Sequence, residues 1–139
     1  MSRKTAREAA MSLLYQKIFS NEYDIDEFKS MIDDLTLDEQ DIPYIEDIVE
    51  GFISHKEEID DIIRTNSKGW KFDRISKVDL SILRLALYEI IYRDDIPESV
   101  SVNEAVELAK KYGGEKSGSF INGILGAFIR SRNDSSKML

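Results

Sequence analysis

Hydrophobic residues return every three to four positions along most of this chain, and no segment alternates convincingly at period two. Ala6, Ala9, Ala10, Leu13, Leu14 and Ile18 form one such stripe, with Ser2 placed to cap its helix. A shorter amphipathic segment carries Phe28, Met31, Ile32 and Leu35, and residues 36–39 (Thr-Leu-Asp-Glu) read as a capping box for the next helix. Pro43 is tolerable in a first helical turn. Ile45, Ile48, Val49, Phe52, Ile53, Ile59, Ile62 and Ile63 then keep the helical period, with a break expected near His55.

Residues 66–69 are a loop signal closed by Trp70 and Phe72, and residues 75–93 make the most apolar stretch of the chain. Ile75, Val78, Ile82, Leu83, Leu85, Ala86, Leu87, Ile90 and Ile91 cover more than one stripe there, which predicts a central helix buried on several sides. Pro97 ends it, because the residue before a proline disfavours helical backbone. A second capping box at residues 101–104 opens a helix through Tyr112 that Gly113 and Gly114 stop. A last helix is expected over about 117–130, with Phe120, Ile121, Ile124, Leu125 and Phe128 inward, and a frayed tail over 133–139. The pattern predicts an all-α fold.

Length allows one domain of 139 residues that buries roughly two-thirds of its unfolded surface. Without cysteine there is no disulfide, no thiolate metal site and no cysteine nucleophile, and a reducing, cytoplasmic setting fits. No apolar run approaches the ~18 residues of a membrane span, and the first 20 residues lack a signal-peptide pattern. His55 is the only histidine, which leaves no second imidazole for a metal set and one candidate base for a triad. The aspartate doublets at 33–34, 60–61 and 94–95 do not fit a calcium loop, and adjacent helical residues point about 100° apart. Neither catalytic nor metal-binding residues are expected, and no cofactor.

Charge is unevenly placed. The net of −8 divides into +3 over residues 1–19, −14 over 20–63 and +3 over 64–139. The middle stretch reads as a solvated acidic helix surface, and the flanks as basic segments suited to an anionic ligand. Arg3, Lys4 and Arg7 sit in the first turns of a helix, where the macrodipole disfavours cations, and a polyanion would give them a purpose. Tyr15, a little over two turns beyond Arg7, offers a stacking face for an unpaired base, as does Phe120; either ring also suits a core. Residues 113–118 (Gly-Gly-Glu-Lys-Ser-Gly) lack the order of a phosphate loop. They would still bring Lys116 and the amides of Ser117, Gly118 and Ser119 to a helix start, where an anion can bind; a plain helix cap fits the same residues.

Three segments together resemble the NusB family of bacterial transcription antitermination factors. They are residues 3–16 (RKTAREAA…LYQ), residues 70–89 (W…RISKVD…ILRLALYE) and residues 102–125 (VNEAVELAKKYG…S…FINGIL). The resemblance spans nearly the whole chain and is weakest over 20–65. It implies two packed three-helix-type bundles, with about seven helices. The N-terminal half would cover about 1–66, the C-terminal half about 67–132, and a frayed tail 133–139. It also implies a protein that is no enzyme. Such a protein pairs with NusE, a small-subunit ribosomal protein. It binds single-stranded boxA RNA in nascent transcripts, especially of ribosomal RNA operons. The RNA polymerase antitermination complex then reads through terminators.

Matched residue by residue, the resemblance places RNA contacts at Arg3, Lys4, Arg7, Lys116, Ser117 and Phe120, and the partner-facing side at Arg74, Lys77 and Asp79. Two residues depart from the family pattern. Thr5 stands where a basic residue is frequent, and Leu80 stands where one commonly follows the acid, which would alter part of the partner or homodimer surface. Other functions the residues allow are a protein-binding helical module, or a stand-alone relative of the NusB-like domain of ribosomal RNA methyltransferases. The second is disfavoured because no glycine-rich strand–helix turn for a cofactor is present.

Overall fold

The computed structural model describes residues 3–19, 40–67 and 69–137. The amphipathic segment around Phe28 and the capping box at 36–39 lie outside the described residues. Six α-helices are present among them: α1 (Arg3–Phe19), α2 (Asp41–Ser54), α3 (Lys56–Asn66), α4 (Lys77–Tyr92), α5 (Glu98–Gly113) and α6 (Glu115–Lys137), with a 3-10 turn at Phe72–Arg74. The described residues contain no strand, so the all-α expectation holds. The break expected near His55 is the joint between α2 and α3, where the His55 N–H bonds back to the Gly51 and Phe52 carbonyls.

Helix α4 is the axis of the fold. Every residue from Asp79 to Ile90 is buried, and the helix packs against all five others. Its Ser76 cap accepts the Asp79 N–H at 3.1 Å, satisfying one orphan donor of the first turn. Helices α1, α2 and α3 supply Leu14, Ile45, Ile48, Ile59 and Ile63 to one side of the core, and α5 and α6 supply Ala109, Ile121 and Leu125 to the other.

A helix buried on all faces leaves its charged residues no water, and α4 solves this twice. Glu89, fully buried, accepts from Arg7 Nε at 2.9 Å and Nη2 at 3.2 Å, from Ser101 Oγ at 2.8 Å and from the Tyr44 hydroxyl. One carboxylate thus ties α4 to α1, α2 and α5. Arg84, on the same helix, forms a two-pronged pair with Asp60 of α3, both bonds at 3.0 Å, with its guanidinium 4.8 Å from the Phe52 ring centre. Burial would lower the Arg7 pKa, but the Glu89 hydrogen bonds and charge outweigh it and hold it above its ordinary value.

Helix limits differ from expectation at the C-terminal half for identifiable reasons. Pro97 starts α5 directly, so the helix begins three residues before the capping box at 101–104, and Ser101 commits its hydroxyl to Glu89 instead of a cap. Helix α6 begins at Glu115 and extends to Lys137, beyond the end expected near Arg130. Leu80 is 4% exposed and belongs to the core, so its departure from the family pattern acts on packing and not directly on an outer surface.

Helices α2 and α4 fit closely. A Cβ built on Gly51 would fall 2.2 Å from the Tyr88 ring, whose hydroxyl is held by Asp47 at 2.9 Å. Gly51→Ala should therefore cost about 1–3 kcal/mol in urea unfolding. Gly123→Ala, in open space on α6, should be neutral or stabilising by up to about 1 kcal/mol. Equal stability of the two variants would contradict the packing described.

Candidate nucleic-acid interface

The basic start of α1 has an internal explanation that the sequence did not reveal. Arg7 is 4% exposed, with its guanidinium committed to Glu89. Arg3 is half-buried, 4.6 Å over the Tyr44 ring and 3.8 Å from Asp95. Arg93 approaches the same ring at 5.4 Å, so Tyr44 lies near two guanidiniums while its hydroxyl is fixed by Glu89. The tyrosine phenol is raised well above its ordinary value, first by burial and then by the Glu89 charge, and stays a donor. No polyanion is needed to account for Arg3 and Arg7.

Of the four candidate residues on α1, Lys4 and Tyr15 are the exposed ones. Eleven residues separate them, and at 100° per residue they stand about 20° apart on the helix and ~16 Å along it. Tyr15 thus shares a stripe with Lys4, not with Arg7. Around that stripe Glu8, Glu104 and Glu107 join Lys4, Arg7 and Lys111 in lining a cavity of about 240 Å³, and Lys111 bonds Glu8 at 2.6 Å. The N-terminal patch is charge-balanced once folded.

The C-terminal cluster is different. Gly114, at φ +91°, makes the turn from α5 into α6, a conformation that side-chain-bearing residues rarely adopt. The Gly118 N–H bonds the Gly114 carbonyl at 3.1 Å. The free amides of the helix start are therefore those of residues 115–117, displaced toward the N-terminus from the expected Ser117, Gly118 and Ser119. Lys116 is exposed at this start, and Ser117 Oγ donates to Asp79 Oδ2 at 3.4 Å. Phe120 is half-buried and meets the edge of Trp70, ring centres 5.8 Å apart.

Arg74, Asp79, Lys116, Ser117 and Phe120 line one cavity of about 260 Å³ together with Trp70. Residues that the sequence assigned separately to partner and RNA therefore share a site. Lys77 is exposed just outside it, and Lys4 and Arg7 line a separate cavity. Trp70 was missed as a functional candidate, although a lone tryptophan in a loop between charged residues was a usable signal. Asp79, 7% exposed, has one oxygen with no hydrogen bond among the described residues. Burial raises its carboxyl above the ordinary value, more than Ser117 and Ser76 lower it.

His55 stacks on Tyr92 at 4.2 Å and shares a hydrogen bond with its hydroxyl at 3.0 Å, with the Glu58 carboxylate 3.8 Å from the ring. Among the described residues no acidic or histidine cluster could hold a metal ion, and no helix is long and apolar enough to cross a membrane.

The model of the NusB family matches residues 4–130. The chain belongs to the NusB family. Transcription antitermination protein NusB of Acetivibrio thermocellus is 52% identical over 130 residues, covering 94% of this chain and 90% of that one. The solved structure of T. maritima NusB superposes with a TM-score of 0.84 at 34% identity, covering 94% of this chain and 92% of that one. A chain in a crystal structure of antitermination factors NusB and NusE in complex with dsRNA matches with a TM-score of 0.82 at 31% identity, covering 93% and 96%. NusB proteins are transcription antitermination factors and not enzymes. The NusB match takes in every candidate residue except Arg3, which lies one position outside it.

In this NusB-family site the raised Asp79 carboxyl fixes a sign. The folded state holds the proton more tightly than the unfolded chain, so ionisation penalises folding as pH rises from about the ordinary 3.8 through the raised value. Asp79→Asn should be more stable than wild type at neutral pH, the gain shrinking as pH falls through that window. Urea titrations at several pH values measure it; a variant less stable at neutral pH would contradict the burial argument.

Proposed function

We propose that this chain is an RNA-binding antitermination factor that pairs with NusE and binds boxA RNA in nascent transcripts, especially of ribosomal RNA operons. The bound RNA would carry it into the RNA polymerase antitermination complex in the cytoplasm, where it promotes read-through. Support comes from one observation above the others. The family's fold, matched over almost the whole chain to a structure of NusB with NusE and RNA, carries here a cavity that combines exposed cations with an aromatic pair.

Lys116, Ser117 and Phe120 serve as RNA contacts on the C-terminal side. Lys4, Arg3 and Tyr15 extend the contact surface along α1. Arg7 supports it from inside, by holding α1 against α4. Arg74, Lys77 and Asp79 take the NusE side, where α4 begins. The small number of exposed cations at these positions makes binding by the chain alone weak and salt-sensitive, and a positively charged partner would strengthen it.

Labelled boxA-type RNA titrated with and without NusE tests this. NusE should tighten binding at least tenfold. Lys116→Glu should weaken it about fivefold to tenfold and lower the slope of log affinity against log salt by roughly 1. Arg7→Glu is a poor probe, since it would strand Glu89. No RNA binding in the presence of NusE would leave a protein-binding helical module, and a homodimer that excludes RNA would be visible by light scattering.

A further inference from the structure

Lys111 stands in the last turn of α5 and reaches across to α1, where its ammonium donates to Glu8 Oε1 at 2.6 Å. The two side chains are 59% and 31% exposed, so the pair is weakly held and another anion can displace the carboxylate. The Glu8 hydrogen bond and charge raise the lysine above its ordinary value, which keeps it a cation. Tyr112 follows directly and is 47% exposed, with the Lys111 ammonium 5.3 Å from its ring centre. The ring belongs neither to the hydrophobic core nor to its partly buried margin.

The end of α5 also joins the two parts of the candidate surface. Lys111 lines the cavity between α1 and α5 together with Lys4 and Glu8. Just beyond Tyr112 the chain turns at Gly114 into α6, where Lys116 is exposed. The Lys110 stem lies against that helix: a Cβ on Gly118 would fall 2.9 Å from Lys110 Cγ. A ligand that touches both Lys4 and Lys116 therefore crosses Lys111 and Tyr112.

An exposed ring beside a cation matches a single-stranded nucleic acid, whose base stacks on the ring while a phosphate takes the ammonium. Lys110, Lys111 and Lys116 around the ring would repel a basic peptide, and an acidic peptide has no flat group for the ring. We propose that Lys111 and Tyr112 form an RNA-contact subsite at the end of α5, and that Glu8 is a positioning residue which occupies Lys111 until a strand phosphate displaces it. The ammonium exchanges one anionic acceptor for another, and no proton moves. Glu104 and Glu107 line the same cavity, so a polyanion is repelled unless the ring and Lys116 add further contacts. The subsite rests on the RNA-binding function proposed above and adds how that surface discriminates among strands.

The test uses the full chain with saturating NusE and labelled single-stranded RNA of boxA type. Lys111→Gln should weaken binding about threefold to fivefold. Tyr112→Leu should weaken it about fivefold to tenfold through lost stacking. Glu8→Gln should tighten binding about threefold, because the exposed pair no longer competes. With Lys111→Gln already present, adding Glu8→Gln should change affinity by less than about 1.5-fold. In the Glu8→Gln background, Lys111→Gln should lower the slope of log affinity against log salt by roughly 1. Glu57→Gln, which removes an exposed acid on α3, should leave affinity unchanged and controls for net charge. Tightening by Glu8→Gln that persists without Lys111, or RNA affinity unaltered in both Lys111→Gln and Tyr112→Leu, would overturn the subsite and leave the RNA-binding function standing. Loss of NusE affinity in Tyr112→Leu, with RNA binding intact at saturating NusE, would give the ring to the protein partner and also overturn it. Absence of RNA binding by the wild-type complex would remove both.

Discussion

A carboxylate with no access to water is the constraint on which this fold turns. Glu89 lies within the buried run of α4, and its two oxygens receive four hydrogen bonds from three other helices. Such a group is tolerable only when its lone pairs are met and a cation balances the charge. Meeting that condition fixes where α1, α2 and α5 lie relative to α4. The Arg3–Asp95 and Arg7–Glu89 contacts run in opposite directions along the two segments, so α1 lies antiparallel to α4. That orientation draws Tyr15 toward the end of α4 that carries Asp79 and the C-terminal cavity.

The same logic changes what the charge distribution means. As a linear pattern, acid fills the middle of the chain and base flanks it. In the folded chain part of that asymmetry cancels across helices, Asp60 with Arg84 and Asp47 with Arg93, while Asp47 and Glu58 also accept hydrogen bonds from the neutral Tyr88 and Tyr92 hydroxyls. The acidic stretch is therefore partly the counter-charge of α4, and not only a solvated surface. Arg74 and Lys116 stand at the 3-10 turn and the start of α6, so an overall net charge of −8 coexists with a local cationic site.

How much of this was legible in the sequence depends on the range of the interaction. The core stripes, the break at His55, the central helix and the stop at Pro97 follow from residues a few positions apart. The role of Arg7 does not, because its partner is 82 residues away and an arginine committed to a buried acid looks the same in sequence as one awaiting a phosphate. Ser101 was ambiguous for a related reason: a hydroxyl can cap a helix or feed a buried carboxylate, and only the packing of α5 on α4 decides. Leu80 read as a lost surface charge until its burial was known. At the candidate site, Lys116, Ser117 and Phe120 were legible together from their short spacing, whereas Asp79 and Trp70 join them only through the turn at Gly114 and the approach of α6.

Arg7 is a structural cation whose charge exists for Glu89, and a double-mutant cycle on that pair tests this most directly. Urea unfolding would be measured for wild type, Arg7→Met, Glu89→Met and the double variant. Either single change should cost about 3–5 kcal/mol by leaving a buried charge unpaired, and the double variant should recover most of that loss. Costs that simply add, or an Arg7→Met variant as stable as wild type with RNA binding abolished, would contradict it and return Arg7 to the RNA surface.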